Sequence, residues 1–194
     1  MTTIYMVRHA ESPLILGEER IRGLSPRGHE DVKRVEEIMR FVEVDVVVSS
    51  PYARALLTVK GVAEAKGLPV IELEELRERP IVGLQDKLAQ QAFTARIRQS
   101  FDDKDFVPDG GESTRQAQER AIPIIGELLR KYEGKSIVIG THGNIMTIIL
   151  NHYDDRYGVA FWESTSIPDI YRLDFAGEKL VGVRRMWEEN GRKE

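Results

Sequence analysis

Three features of the sequence predict an α/β fold, a three-layer α/β/α sandwich with a mainly parallel central sheet. Strand-like apolar runs alternate with helix-like patterns along the chain, the arrangement that buries one sheet between two layers of helices. Two of those runs end at a histidine, Thr3 to Val7 followed by Arg8-His9 and Ile137 to Thr141 followed by His142. Two Ser-Pro dipeptides, Ser25-Pro26 and Ser50-Pro51, stand where helices are expected to begin, because serine satisfies free N–H groups and proline suits the first helical position.

The first strand, Thr3 to Val7, runs into Arg8-His9-Ala10-Glu11-Ser12. A strand that ends there delivers its last side chains to the carboxyl edge of the sheet, where ligands bind in such folds. Beyond Ser25-Pro26, Val32, Val35, Ile38 and Met39 recur at helical spacing and predict a helix of about four turns. Val44 to Ser49 is the second strand, and Ser50-Pro51 opens a second helix carrying Tyr52, Ala55, Leu56, Val59 and Ala63. Gly67-Leu68-Pro69 ends that helix, and Pro69 to Leu73 reads as a short strand leading into Glu74 to Gly83.

From Gly83 to Gly111 the pattern weakens. Leu84, Leu88, Phe93, Ile97 and Phe101 suggest helical pieces and Val107 to Gly111 a loop, so residues 79-110 are expected to make a lid-like excursion over the site. Ser113 with Gln116 fits a capping box, and Ala117, Ala121, Ile124, Ile125, Leu128 and Leu129 predict a helix broken or kinked near Pro123. The strand ending at His142 follows, then a short buried helix through Ile145, Ile148, Ile149 and Leu150. Ser166 to Phe175 and Lys179 to Met186 read as a hairpin turning at Ala176-Gly177-Glu178. Residues 1-194 are taken as a single domain, a length that fills one core comfortably.

Composition narrows the chemistry. Apolar residues make up 41% and charged residues 31%, values typical of a soluble globular chain. There is no cysteine, which excludes a disulfide, a thiolate nucleophile and a cysteine metal site. No run approaches the roughly 20 apolar residues of a membrane span, and no leader-like start is seen; the mature chain is expected to begin near Met1 and to be cytoplasmic. A net charge of −4 argues against nucleic acid as partner. No metal or cofactor is expected, and Trp162 and Trp187 are read as covering a core edge or a subunit contact, compatible with a homodimer.

The strand ends gather cations. Arg8 and His9 follow the first strand, Arg54 falls in the first turn of the second helix, and His142-Gly143-Asn144 follows the fourth strand. A helix N-terminus offers unpaired N–H groups and a partial positive charge, so this set suits a phosphate. Glu78, after the third strand, is placed to bring a proton.

In this order, Arg8-His9-Ala10, Ser50-Pro51-Tyr52-Ala53-Arg54-Ala55-Leu56-Leu57-Thr58, Leu76-Arg77-Glu78, Gly111-Glu112-Ser113 and His142-Gly143 resemble the signatures of the histidine phosphatase superfamily on its phosphoglycerate-mutase-like branch. The matches span about four-fifths of the chain. The resemblance implies that His9 is the nucleophile that takes a phosphoryl group, that Arg8, Arg54 and His142 grip its oxygens, and that Glu78 protonates the leaving alcohol without a metal. Neighbouring arginines are expected to keep His9 neutral and Glu78 ionised until the substrate dianion arrives. Substrate contacts are expected from Arg8, Ser12, Arg22, Arg54, His142, Gly143 and Asn144.

The departures bear on substrate. Ala10 stands where the family has glycine, the stretch Pro13 to Gly23 lacks the Trp-Asn of many members and leaves Arg20 and Arg22 as candidate contacts, and Arg79 to Asp86 lacks aromatic-Glu-Gly. Mutases of the family carry an adjacent arginine pair and a long tail; here the excursion offers Arg96, Arg98 and Lys104. A phosphatase acting on phosphomonoesters of small metabolites is therefore expected. A phosphoglycerate-type mutase, a phosphoprotein phosphatase and a non-catalytic phosphate-binding regulator are the alternatives. Competing structural readings exist: Glu78 sits in an acidic run that could be a solvated face, Ser113 and Glu112 are explained by a helix start, and His29 and His152 match no motif.

Overall fold

The computed structural model describes residues 1–15, 17–80, 87–108 and 111–188, with the backbone alone at 87–91. The expected helical positions Leu84 and Leu88, much of the start of the 79-110 excursion, and the loop residues Asp109 and Gly110 lie outside the described residues or side chains.

The chain runs β1 (Thr2–Arg8), α1 (Pro26–Arg40), β2 (Val46–Ser49), α2 (Ala53–Ala65), β3 (Val70–Glu72), a 3-10 turn at Glu74–Leu76, and α3 (Lys87–Asp102). It continues through α4 (Thr114–Lys131), β4 (Ser136–Thr141), α5 (Gly143–Tyr153), α6 (Val159–Ser164), β5 (Asp169–Ala176) and β6 (Lys179–Arg185). One sheet has the order β3-β2-β4-β1-β5-β6. β1, β2, β3 and β4 pair in parallel, while β5 is antiparallel to both β1 and β6.

Side chains alternate across the sheet as strand geometry requires. Ile4 and Met6 of β1 join Val48, Ile139, Leu173 and Phe175 in a core under α4 and α5. Tyr5 and Val7 face the other way, into a core with Val35 and Met39 of α1 and Val59 and Val62 of α2. Helices thus cover both faces, as the sequence predicts. Trp187 is buried in the second core with the Arg34 guanidinium 4.4 Å over its ring, and Trp162 packs against Phe93 with centroids 6.0 Å apart, joining α3 to α6.

The two cores also fix where a ligand can enter. β1 feeds α1 on one face and β4 feeds α5 on the other, so neighbouring strands send their helices in opposite directions. Their carboxyl ends bound the crevice where ligands sit in open α/β sheets.

Local expectations fare unevenly. Ser25 caps α1, accepting from Gly28 N–H at 3.0 Å, and both halves of the Ser113–Gln116 capping box are present. The hairpin turns at Gly177, whose φ of 60° belongs to the left-handed region that glycine enters without strain. Of the break or kink expected near Pro123, the break does not occur: α4, 18 residues in all, runs through it. Ser50 does not cap α2 either. That helix starts at Ala53 after Tyr52, with no side-chain cap, because the Ser50 hydroxyl is engaged elsewhere.

Candidate active site

Register brings the two histidines together. Val7 pairs with Gly140 and Arg8 with Thr141 in adjacent parallel strands, so the next residues, His9 and His142, emerge side by side. The ladder extends one step further, His9 N–H donating to Thr141 O at 2.9 Å. The ring centroids are 5.2 Å apart at 62°, with His142 fully buried and His9 9% exposed.

The His9 ring is held from one side. Its Nδ1 lies 2.8 Å from Ala10 O; a carbonyl only accepts, so Nδ1 carries the proton and Nε2 keeps its lone pair in the neutral ring. Burial first, and then the charge of Arg54, pushes the His9 pKa well below the ordinary imidazole value. The sequence reading credits the arginines, but desolvation is the larger cause. Ala10 N–H donates to Thr58 Oγ1 at 3.0 Å, and that hydroxyl donates to Arg54 O at 2.7 Å. The motif threonine thereby ties the turn after His9 to α2. No non-glycine among the described residues has a positive φ, so Ala10 replaces glycine without backbone strain.

Arg8 lies across the first turn of α5. A Cβ on Gly143 would fall 2.7 Å from Arg8 Cζ, so any larger residue there displaces the guanidinium. Nη1 of Arg8 donates to the carbonyl and the hydroxyl of Thr165. Buried Asp169, paired with Arg8 across β1 and β5, adds a favourable charge. Its carboxylate also accepts from Arg185 and from Ser166 N–H.

Arg54 sits in the first turn of α2 and is 1% exposed. Nη1 donates to Glu19 O at 2.6 Å, Nη2 lies 3.1 Å from the Glu19 carboxylate, and the guanidinium stacks 5.1 Å from the Tyr52 ring centroid. A cation at a helix N-terminus opposes the helix dipole; the Glu19 carboxylate offsets that cost. Arg22 also binds Glu19, at 3.1 Å, and donates to Ser12 Oγ at 2.7 Å. Ser12 donates in turn to Gly23 O at 2.6 Å, so its hydroxyl closes the loop after β1.

Glu78 meets the N-terminus of α5. Oε1 accepts from Ile145 N–H and Arg79 N–H, both at 2.9 Å, and Oε2 from Asn144 N–H at 3.2 Å. The acidic run is therefore not a uniform solvated face: Glu78 reaches inward, whereas Glu74 is exposed and takes Arg20 in a two-pronged pair at 2.8 Å. The Asn144 side chain is buried, and both of its polar atoms lack a partner among the described residues. His142 is likewise driven neutral, by burial first and by His9 and Arg54 next.

Other expected residues lie apart. Arg98 pairs with Glu163 at 3.4 Å and Lys104 with Asp155 at 2.9 Å, while Arg96 lies on α3. His29 and His152 are exposed on α1 and α5. Among the described residues, no group of three or more His, Asp or Glu side chains is arranged to hold a metal ion. Glu19, Ser50, Thr165 and Asp169 were absent from the expected site, and each reaches it through a contact distant in sequence. Arg79 was also unanticipated. It is 3% exposed, its pKa is lowered to about 10 by burial, and it bonds Thr114 Oγ1 and Ser100 Oγ, joining α3 to α4 behind Glu78.

Residues 4–185 match the family profile described as histidine phosphatase superfamily, branch 1. A 2,3-bisphosphoglycerate-dependent phosphoglycerate mutase of Chelativorans sp. is 29% identical over 198 residues, covering 89% of this chain and 92% of the relative. A metal-independent phosphoserine phosphatase of Arabidopsis thaliana is 28% identical over 163 residues, covering 77% of this chain and 67% of the relative. The native structure of a mycobacterial glucosyl-3-phosphoglycerate phosphatase superposes with a TM-score of 0.72 at 22% identity, over 94% of this chain and 96% of that one; the two share a fold.

Proposed function

The chain belongs to the histidine phosphatase superfamily, and from that premise we propose that it hydrolyses phosphomonoesters of small metabolites through a phosphohistidine on His9. The observation that carries this reading is the neutral, nearly buried His9 ring, tied by Nδ1 to a carbonyl and set 5.2 Å from a second buried imidazole. Nε2 attacks phosphorus in line as the bond to the alcohol oxygen breaks. Arg8, Arg54 and His142 take the equatorial oxygens, where charge placement does most of the catalysis. Of the two Glu78 oxygens, Oε2 accepts only one N–H, so it has a lone pair for the proton that goes to the leaving alcohol. Water then displaces His9 from phosphorus, returns a proton to Glu78 and releases phosphate.

Mutase chemistry is the second reading, because a mutase stands among the similar sequences. That relative aligns over most of its own length, so a missing tail does not separate the two activities. The excursion favours hydrolysis because Arg96, Arg98 and Lys104 do not form the adjacent arginine pair that mutases of the family carry. The test is p-nitrophenyl phosphate turnover in the presence of a chelator, with His9→Ala as control, followed by a panel of phosphorylated metabolites. Absence of turnover by folded protein would leave a phosphate-binding regulator. Phosphoglycerate mutation much faster than phosphate release would replace hydrolase by mutase.

A further inference from the structure

Ser50 has no assigned part in the chemistry, yet its hydroxyl touches the second histidine. Its backbone continues the sheet, Ser50 N–H donating to Gly140 O at 2.9 Å, and this lines it up beside the end of β4. His142 Nε2 lies 2.8 Å from Ser50 Oγ. Tyr52 N–H donates to the same oxygen at 3.3 Å.

A hydroxyl has one proton and two lone pairs. Ser50 is fully buried, and with Tyr52 N–H on one lone pair its proton needs an acceptor, since a buried donor left without one is costly. Among the described residues, His142 Nε2 is the partner that can take it. Were Nε2 the donor instead, it would fill the second lone pair and strand the serine proton; with the ring proton on Nδ1 the unpaired donor is the ring's own, which a bound phosphoryl oxygen can complete. The arrangement therefore runs from Tyr52 N–H to Ser50 O–H to Nε2. A neutral imidazole that accepts at Nε2 holds its own proton at Nδ1, and Nδ1 of His142 is buried with no partner among the described residues.

We propose that Ser50 is a positioning residue that selects the Nδ1–H tautomer of His142, so that the second imidazole meets a phosphoryl oxygen as a hydrogen-bond donor. This rests on the phosphatase reading for its last step. The two rings then hold complementary states: His9 keeps Nδ1–H on the Ala10 carbonyl and offers the lone pair of Nε2, while His142 accepts at Nε2 and offers Nδ1–H. One ring attacks phosphorus and the other stabilises the charge on oxygen. With the opposite tautomer, His142 would turn a lone pair toward an anion.

Nitrogen-detected NMR of protein labelled with ¹⁵N-histidine reads the tautomer directly in the wild type. The expected result is a protonated Nδ1 and an accepting Nε2 on His142, assigned by comparison with His142→Asn. Ser50→Ala should shift the ring toward Nε2–H, and should weaken vanadate inhibition and lower kcat/KM by about tenfold or more. Ser50→Thr, which keeps the hydroxyl, should restore the tautomer and most of the activity. A protonated Nε2 in the wild type overturns the proposal, and that measurement needs no variant to fold. So does a Ser50→Ala protein with unchanged tautomer and unchanged vanadate affinity. A wild-type Nδ1–H ring in a protein that neither binds vanadate nor turns over any ester supports the Ser50 assignment and removes the phosphatase reading instead.

Discussion

The carboxylate of Glu19 lies 3.1 Å from Nη2 of Arg54 and 3.1 Å from Nε of Arg22. Two guanidinium groups beside the paired histidines are thus already bound to an anion supplied by the chain itself. A phosphoryl group that uses Arg54 must compete with that carboxylate or share the guanidinium with it.

Glu19→Gln removes the competing charge and keeps the shape. Because Glu19 is about half exposed, the gain is modest: vanadate or phosphate inhibition should tighten about three- to tenfold, a change of about 1 kcal/mol. Inhibition constants measured at fixed ionic strength check it. Weaker inhibition would mean that Glu19 orients Arg54 and does not compete for it.

Gly143→Ala places a methyl group 2.7 Å from Arg8 Cζ and must push the guanidinium aside. On the phosphatase reading, moving Arg8 is expected to lower kcat/KM by about a hundredfold; it also breaks the guanidinium's bonds to Thr165, so the melting temperature should fall as well. Unchanged kinetics would show that Arg8 does not hold substrate.

Glu78→Gln tests the proton donor. Esters with alkyl leaving groups need protonation and should slow by about 10²–10³; p-nitrophenyl phosphate, whose leaving group departs as an anion, should lose about tenfold or less. Equal losses for both would take the acid role away from Glu78 and leave it as a brace for the first turn of α5.

The rings of His9 and His142 are neutral in the fold, with pKa values depressed well below the ordinary value of 6.5 by burial. The unfolded chain takes up protons near pH 6.5 while the folded chain does not, so stability is fully present above that pH and declines as pH falls below it. Each ring adds to that loss until its folded pKa is reached. Urea midpoints should therefore drop between pH 6.5 and 5.5, and His142→Asn should flatten the slope. The acid limb of kcat/KM should likewise lie below pH 6.5. A midpoint independent of pH over that interval would contradict the buried neutral state.

The strand ends were legible because they depend on short patterns: an apolar run of period two, a turn, and a polar residue left at the sheet edge. Arg8, His9, Arg54 and His142 could be named from those patterns and from motif order. Ser50 was misread because serine before proline has the local form of a helix cap, whereas its hydroxyl is captured by His142 from another strand. Glu19, Thr165 and Asp169 escaped notice for the same physical reason. Their roles come from contacts made only when the loop after β1 and strand β5 close on the site. α6 is six residues long, too short to show helical periodicity. Thr58 was visible within its motif, but its bond to the backbone of Ala10 was not.

β1 lies in the middle of the sheet, flanked by β4 and β5, although it precedes every other described element in sequence. Its hydrogen-bonding edges therefore wait for segments near the far end of the chain, Ser136–Thr141 and Asp169–Ala176. During synthesis from the N-terminus, α1, β2 and α2 can form early, but the two imidazoles are brought together only when β4 and β5 have emerged. Contacts of such high sequence separation slow assembly, and a chain cut off after α4 lacks both strands that pair with β1, so His9 is neither held in place nor faced by a second imidazole.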